Sequence, residues 1–388
     1  MPIVRKFIRH SSLTGLKHYF DHQDIKLAGV DWSKIDQVLI KLILKSVSQL
    51  NKDEIARLKV DAQRIVQMTD ELGQQSLLYM LDDGSSLDAI DNPYDRACWV
   101  YLHQSDAFRR AQDIHYADAY RGKRRNWTPF DGPKVKIIPH PECMDTFKSN
   151  VAKQLGLGQN LWVDRFDRQR VGDDGVSHRL VQLMIYQEGL PRNDLAFDGS
   201  QLVAQIRRPV REMALTYEAE TGRIEAVANT LEHRQILAET FAKYWLGTSQ
   251  QLAMVPAKRF DLSVLTSPCV FDTDIEDRIE RVEVVKLRVH SPQMAKVLTL
   301  ESDNAAKKCI AASNTTFFGA NSTLGPCTIN QAKITAVFHP ERSGLRGQRI
   351  SFTIAEPSSC NLTDQTERER LIRDKYLARW GFVKEDVA

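Results

Sequence analysis

Apolar side chains recur at helical spacing through about the first 125 residues. The stretch Trp32–Leu50 is apolar around much of its circumference, and residues 55–69 follow the 3.6-residue period of one helix face. Asn51, with Glu54 three positions later, forms a capping-box pattern that predicts a helix start. Further helices are predicted over Pro93–His103 and after an N-cap at Ser105. The pattern indicates a helical bundle.

Beyond Trp127 the pattern changes to the alternation typical of strands. The segment WTPFDGP is a predicted linker because of its proline and glycine residues. A short strand over Val135–Pro139 and a helix over Pro141–Leu155 are predicted next. Strands follow over Leu161–Arg170, Leu180–Gln187, Met213–Tyr217 and Arg223–Ala228, and Asn229 is the predicted cap of a helix ending at Gly247.

A second alternating region starts near residue 260. Val285, Leu287 and Val289 are predicted to point to one side of a strand, and the residues between them to the other. A strand over Ala295–Leu300 and a helix near Asn304–Ser313 are predicted to follow. The clearest hairpin pairs Ile334–Phe338 with Ile350–Ile354, and a last helix is capped by Thr363 and ends at Gly381.

These elements predict an α+β fold in three domains. A helical N-terminal bundle (1–128) is followed by two antiparallel-sheet α/β units (129–258 and 259–388). Each unit ends in a hairpin followed by an amphipathic helix.

Composition narrows the class of protein. With 53 Lys and Arg against 50 Asp and Glu, the net charge of +3 excludes a polycation of the histone type. Among the six cysteines no two lie closer than 18 positions, which excludes CxxC motifs and indicates reduced thiols. The longest apolar run, Val38–Leu44, is interrupted by Lys41 and is too short to span a bilayer. With no signal peptide in the sequence, we predict a cytoplasmic protein without membrane contact.

Motifs for catalysis are missing from the sequence. It contains no P-loop, no GxSxG, no HExxH and no complete dinucleotide fingerprint. We interpret the ten histidines as structural or solvated side chains. No catalytic residue and no cofactor is therefore predicted.

Two regions concentrate positive charge. Residues 105–127 hold six Lys and Arg against three Asp, a net charge of +3, and residues 280–355 hold ten against five, a net charge of +5. In the first region a cationic run next to an indole is suited to phosphate pairing and base stacking. The predicted nucleic-acid contacts there are Arg110, Arg121, Lys123, Arg124, Arg125 and Trp127.

Whether the basic residues of the second region form one surface depends on which strands are neighbours. Alternation places Lys286 and Arg288 on one outer face, with Lys333 and Thr335 on a second strand and Arg349 and Ser351 on a third. If these strands pair, the exposed face is basic and rich in hydroxyl groups, as backbone-phosphate contact requires. The contacts predicted there are Lys286, Arg288, Arg346 and Arg349. That face has no pair of aromatic residues of the kind that stacks RNA bases.

An acidic run supplies a weaker alternative. Asp272, Asp274 and Glu276 have a spacing that offers carboxylates to a divalent metal, although a solvated acidic loop explains them better, so no metal site is predicted there. A nuclease would also need a lysine on the same strand face, and Glu283 and Lys286 are three apart and point to opposite faces.

The sequence favours a non-catalytic binding or scaffold component that contacts nucleic acid, or an assembly acting on it, through basic surfaces. A narrower hypothesis is that the protein is an accessory component of a bacterial defence system. No sequence motif supports this hypothesis. Two alternatives stay open: a divalent-metal nuclease or phosphodiesterase, and a purely protein-binding subunit of a complex.

Overall fold

The chain divides into two units at residue 254. The first unit holds residues 1–171 and 177–254, and the second holds 255–388. The computed structural model describes residues 2–33, 37–81, 87, 89–121, 125–137, 141–156, 160–171, 177–256, 259–266, 270–291, 296–302, 328–340, 347–356, 359–360 and 367–384. The boundary predicted at 128 lies inside the first unit, and the three-domain division stays a prediction.

The N-terminal part of the first unit is helical. Its helices are α1 (Pro2–His10), α2 (Leu13–His22), α3 (Gln37–Val47), α4 (Lys52–Gln67), α5 (Glu71–Met80), α6 (Pro93–His103) and α7 (Ser105–Tyr120). The predicted capping box is confirmed, since Asn51 accepts from the Glu54 amide and the Glu54 side chain accepts from the Asn51 amide. One apolar core, which includes Phe7, Tyr19 and Phe108, holds the helices together.

A six-stranded antiparallel sheet completes the first unit. Its strands are β1 (Trp127–Asp131), β2 (Leu161–Val171), β3 (Ser177–Glu188), β6 (Val210–Glu218), β7 (Arg223–Val227) and β8 (Ala253–Met254), in the order β2-β3-β6-β7-β1-β8. Helices α8 (Pro141–Leu155) and α9 (Leu231–Trp245) pack on one face through a core around Phe147, Leu215 and Phe241. Helix α7 packs on the other face through Ala117, Met184 and Ala214.

Three local predictions in this unit are wrong. The predicted linker contains strand β1, where Thr128 and Phe130 are buried and Pro129 is tolerated because β8 pairs only with Phe130 and Asp131. The described part of the strand predicted from Val135, residues 135–137, lies outside any strand. Thr230, and not Asn229, caps α9 by accepting from the amide of His233.

Helix α7 has a related difference at its start. It begins at Ser105 itself, with Gln104 at the cap position and no side-chain hydrogen bond there. The predicted N-cap at Ser105 is therefore wrong by one residue.

The first unit also contains a two-stranded ribbon that was not predicted from the sequence. Strands β4 (Arg192–Asp198) and β5 (Gln201–Arg207) pair around a two-residue turn in which Gly199 has φ +60°. A glycine with positive φ at the first turn position is typical of a type II′ hairpin. One face of the ribbon is apolar, and its side chains Leu195, Phe197 and Ile206 are 68, 76 and 78% exposed.

The second unit is built on a five-stranded antiparallel sheet. Its strands are β10 (Ile279–Ser291), β11 (Lys296–Glu301), β12 (Thr328–Phe338), β13 (Arg349–Ala355) and β14 (Ser359–Cys360), in the order β11-β10-β12-β13-β14. Strands β9 (Arg259–Phe260) and β15 (Val383–Lys384) pair separately, and short 3-10 helices span Ser263–Thr266 and Ile275–Asp277. Helix α10 (Glu367–Arg379) shares a core with the inner sheet face.

The α+β prediction is confirmed. The β6–β7 and β12–β13 hairpins are each followed by a helix along the chain, and Gly381 ends α10 with φ +75°. The helix predicted near Asn304–Ser313 and the cap at Thr363 lie outside the described residues. In the described part of the chain, no helix is long and apolar enough to cross a membrane.

Candidate anion-binding site

The outer face of the five-stranded sheet carries the polar residues that the sequence places on β10, β12 and β13. Lys286 pairs with Lys333, and Lys333 pairs with Thr353. Directly paired residues of antiparallel strands lie on the same face. The three strands are therefore neighbours, as the prediction of a basic face requires.

The next row on this face contains hydroxyl groups. Thr335 pairs with Ser351, and their side-chain oxygens are 2.8 Å apart in a hydrogen bond. The register then continues to Val337 and Arg349. Hydroxyl and cationic side chains thus occupy adjacent rows on β12 and β13.

A β-bulge changes two predicted side-chain directions. The register between β10 and β12 shifts between Val284 and Lys286, so Val285 is an extra residue. Val284, Leu287 and Val289 are buried in the core, whereas Val285 lines the outer pocket. The prediction that Val285 points to the same side as Leu287 is therefore wrong. The prediction that Glu283 and Lys286 point to opposite faces is wrong for the same reason, because Glu283 pairs with Thr335 and Lys286 with Lys333 on one outer face.

These rows border a pocket of about 450 Å³. Its described lining residues are Val285, Glu301, Ser302, Lys333, Thr335, Arg349 and Ser351. Glu301 and Ser302 belong to the end of β11, which the sequence analysis did not connect with the basic strands. The signal for them was the antiparallel pairing of β10 with β11, which aligns Glu301 with Lys286.

The cations around the pocket differ in their partners. Lys286 Nζ is 2.9 Å from a carboxylate oxygen of Glu301, so this pair is neutral overall. Among the residues that the structure describes, no carboxylate pairs with Lys333 or Arg349. Arg349 is exposed and Lys333 is half-buried. Two unpaired cations beside two hydroxyl groups form a set of donors for an oxyanion.

The other two contacts predicted for this face, Arg288 and Arg346, do not line the pocket in the described residues. Arg288 is exposed one row beyond Lys286, level with Gln331 on β12. Arg346 lies outside the described residues. The structure thus places Arg349 in the lining of the pocket and Lys286 next to it, ion-paired with the lining residue Glu301. Arg288 lies on the same face outside the pocket, and Arg346 is not among the described residues.

The first predicted cluster is dispersed. Arg110 and Arg125 are exposed, and Lys123 and Arg124 lie outside the described residues. Trp127 is half-buried and packs in the cluster that joins α7 to the six-stranded sheet. Its indole ring is therefore largely used for packing.

Arg121 belongs to an ion-pair network under α7. Its Nε lies 3.1 Å from Glu225, which also binds Arg170 at 2.8 Å, while Arg168 and Asp118 pair at 2.6 Å. Burial alone would raise the pKa of Glu225, but the charges of Arg170 and Arg121 outweigh it and hold that pKa well below its usual range. The positive charge of Arg121 is thus neutralised within the first unit.

The acidic run of the second unit is also paired in part. The carboxylate of Asp274 accepts from Arg379 at 2.6 and 3.0 Å and lies 2.6 Å from Lys375 Nζ. Asp272 and Glu276 are exposed. In the described residues these three carboxylates do not converge on one point, so the geometry gives the metal-nuclease alternative no support.

One other group of metal-ligand type is present in the first unit. His178 Nδ1 lies 2.7 Å from Glu218 and 3.4 Å from Glu220, and the three ligand atoms lie within 4.8 Å of one another. The shorter distance is that of an ion pair when the imidazole is protonated. Arg170 interacts electrostatically with Glu218. Its positive charge disfavours binding of a metal cation between His178, Glu218 and Glu220.

Comparison with protein-family models and with curated proteins finds no match to this chain. The functional conclusion therefore rests on the site itself.

Proposed function

We propose that the protein is a non-catalytic binding component that contacts the phosphate backbone of nucleic acid through the outer face of its five-stranded sheet. The observation that carries the proposal is the pocket in which Lys333 and Arg349 have no carboxylate partner among the described residues and lie beside Thr335 and Ser351. A lysine and an arginine with adjacent hydroxyls are the groups that most often contact phosphate oxygens.

The chemistry of the pocket favours backbone contact over base recognition. None of its described lining residues is aromatic, so no base-stacking platform adds to the charges. Affinity dominated by phosphate neutralisation is insensitive to sequence and falls steeply with salt.

The test is fluorescence anisotropy with short labelled single- and double-stranded DNA and RNA over a series of salt concentrations. Replacing Lys333 and Arg349 together by Gln should lower the affinity at low salt about tenfold or more. It should also reduce the slope of log affinity against log salt by about 2, because two phosphate contacts are lost. The matched control is Lys52→Gln with Lys59→Gln, two exposed lysines of α4 that carry the same charge change.

The outcomes separate the alternatives. Equal losses in the test and control variants would assign binding to net charge and refute the pocket. No affinity for any nucleic acid at low salt would refute the proposal and leave the protein-binding alternative, for which the ribbon face with Leu195 and Phe197 is the exposed apolar surface. The narrower hypothesis of a bacterial defence role and the cytoplasmic location stay predictions.

A further inference from the structure

One face of the β4–β5 ribbon is almost entirely apolar. Three cross-strand pairs lie on this face: Asn193 with Ile206, Leu195 with Ala204, and Phe197 with Leu202. The charged side chains of the two strands alternate to the opposite face, so none lies among these pairs. All four large apolar side chains of the face are more than half exposed.

The apolar face of the ribbon is uncovered in the described part of the chain. Among the described strands, β4 and β5 pair only with each other. A two-stranded hairpin is marginally stable in water by itself and gains stability when its apolar face packs against another layer. The face exposes on the order of 500 Å² of contiguous apolar surface, a size that in soluble proteins often marks an interaction site. The ribbon is therefore a single layer that can accept a second one.

The two ends of the ribbon carry charges of opposite sign. Arg192 and Arg207 form the pair at its base, whereas Asp198 ends β4 next to the turn. Antiparallel packing of two ribbons brings the basic end of one to the acidic end of the other, so opposite charges share each end of the assembly. Parallel packing would bring like charges together. The ribbon is thus complementary in charge to an inverted copy of itself.

The apolar rows of the face match in the same orientation. The row that contains Leu195 lies at the midpoint of the ribbon and would pack on its own equivalent. The row near the turn, which contains Phe197, would pack on the row near the base, which contains Ile206. Two such faces would together bury on the order of 1,000 Å², which reaches the lower limit for a specific protein–protein interface.

We propose that the protein forms a two-fold symmetric dimer in which the apolar faces of two β4–β5 ribbons pack against each other in antiparallel orientation. Two-fold symmetry is the commonest arrangement of homo-oligomers, and it requires a surface that is complementary to itself. The apolar rows and the charged ends of the ribbon meet this requirement in one and the same orientation. The contact belongs to the first unit, so it is independent of the proposed anion pocket in the second.

The experiment is sedimentation equilibrium of the full chain from about 1 to 100 µM, the range in which an interface at this lower size limit should dissociate. The wild-type chain should show a monomer–dimer equilibrium. Phe197→Gln with Ile206→Gln should raise the dissociation constant about thirtyfold or more, because a buried aromatic side chain dominates such an interface. The matched control, Val60→Gln with Leu231→Gln, replaces two exposed apolar side chains elsewhere in the first unit and should leave the constant unchanged. Circular dichroism checks that all variants fold.

Charge reversal tests the orientation. Arg192→Asp and Asp198→Arg should each raise the dissociation constant about two- to fivefold, because each places like charges at both ends of the assembly. The two substitutions together should restore the wild-type value. A wild-type chain that is monomeric at every concentration would overturn the proposal and leave the apolar face to a different partner. A dimer that persists unchanged when Phe197 and Ile206 are replaced would overturn it as well, and a double charge reversal without recovery would overturn the antiparallel orientation.

Discussion

The cationic side chains on the polar faces of the two sheets differ in whether they pair with carboxylates. On the six-stranded sheet Arg168 is buried and Arg170 is half-buried, and they pair with Asp118 and Glu225. On the five-stranded sheet Lys333 borders a pocket and has no carboxylate partner among the described residues. Cationic side chains therefore form ion pairs within the protein in the first region, whereas in the second their charge is available to a ligand.

Burial accounts for this difference. A buried guanidinium loses its hydration and has to recover that free energy from a carboxylate and further hydrogen bonds. Arg168 is 3% exposed and binds Asp118 through two nitrogens and Gln182 through a third. A partly exposed lysine keeps its water and needs no partner, so its charge remains available to a ligand.

The largest expected effect comes from breaking the buried network. Glu225→Gln should lower the free energy of unfolding by about 3 kcal/mol, because the half-buried Arg121 would lose its carboxylate partner and Arg170 would keep only its longer 3.6 Å contact with Asp118. Urea denaturation followed by circular dichroism measures it. The control is Glu301→Gln, whose partner Lys286 is partly exposed, and we expect a change within about 0.5 kcal/mol. Equal losses in the two variants would contradict the contrast between the faces.

Asp113 on α7 should contribute to stability with a pH dependence opposite to that of Glu225. Burial raises the pKa of Asp113 to about 6, although the hydrogen bond from Tyr186 and the charge of Arg109 act against it. A raised folded-state pKa gives stability that is present below the unfolded-state value of about 4 and is lost as pH rises through about 6. Glu225, with a lowered pKa, contributes stability above its unfolded-state value that is lost as pH falls.

Asp113→Asn tests this assignment. Relative to the variant, the wild-type protein should lose about 2–3 kcal/mol of unfolding free energy between pH 4 and pH 6. Denaturation series across this range measure the difference. A difference that does not change with pH would show that Asp113 has an ordinary pKa.

Local pattern predicted much of the second sheet. Alternation on β12 and β13 placed Lys333 and Arg349 on the outer face, and the observed register confirms that these strands are neighbours. Pairing between distant segments was not predictable, since Arg121 and Glu225 are 104 residues apart and nothing local links them. The bulge at Val285 likewise depends on two strands at once. The β4–β5 ribbon was predictable, because alternating residues flank the turn at Gly199.

A smaller effect is expected from the acidic edge of the pocket. Glu301→Gln removes the one carboxylate among the described lining residues and releases Lys286 from its ion pair. The affinity for nucleic acid at low salt should rise about two- to fivefold, as an exposed charge contributes up to about 1 kcal/mol. Anisotropy titrations measure it, with Glu276→Gln, an exposed glutamate of the same unit, as the control. If both variants gain equally, the net charge and not the pocket is responsible.

The smallest effect concerns Lys286. In the wild-type chain its charge is satisfied by Glu301 at 2.9 Å, so Lys286→Gln should change affinity by less than about twofold. In the Glu301→Gln background the same substitution should cost about two- to fivefold, because the released ammonium group then faces Lys333 and the ligand. A double-mutant cycle from the four affinities measures this coupling. Additive effects would show that the Lys286–Glu301 ion pair does not limit the charge available on this face.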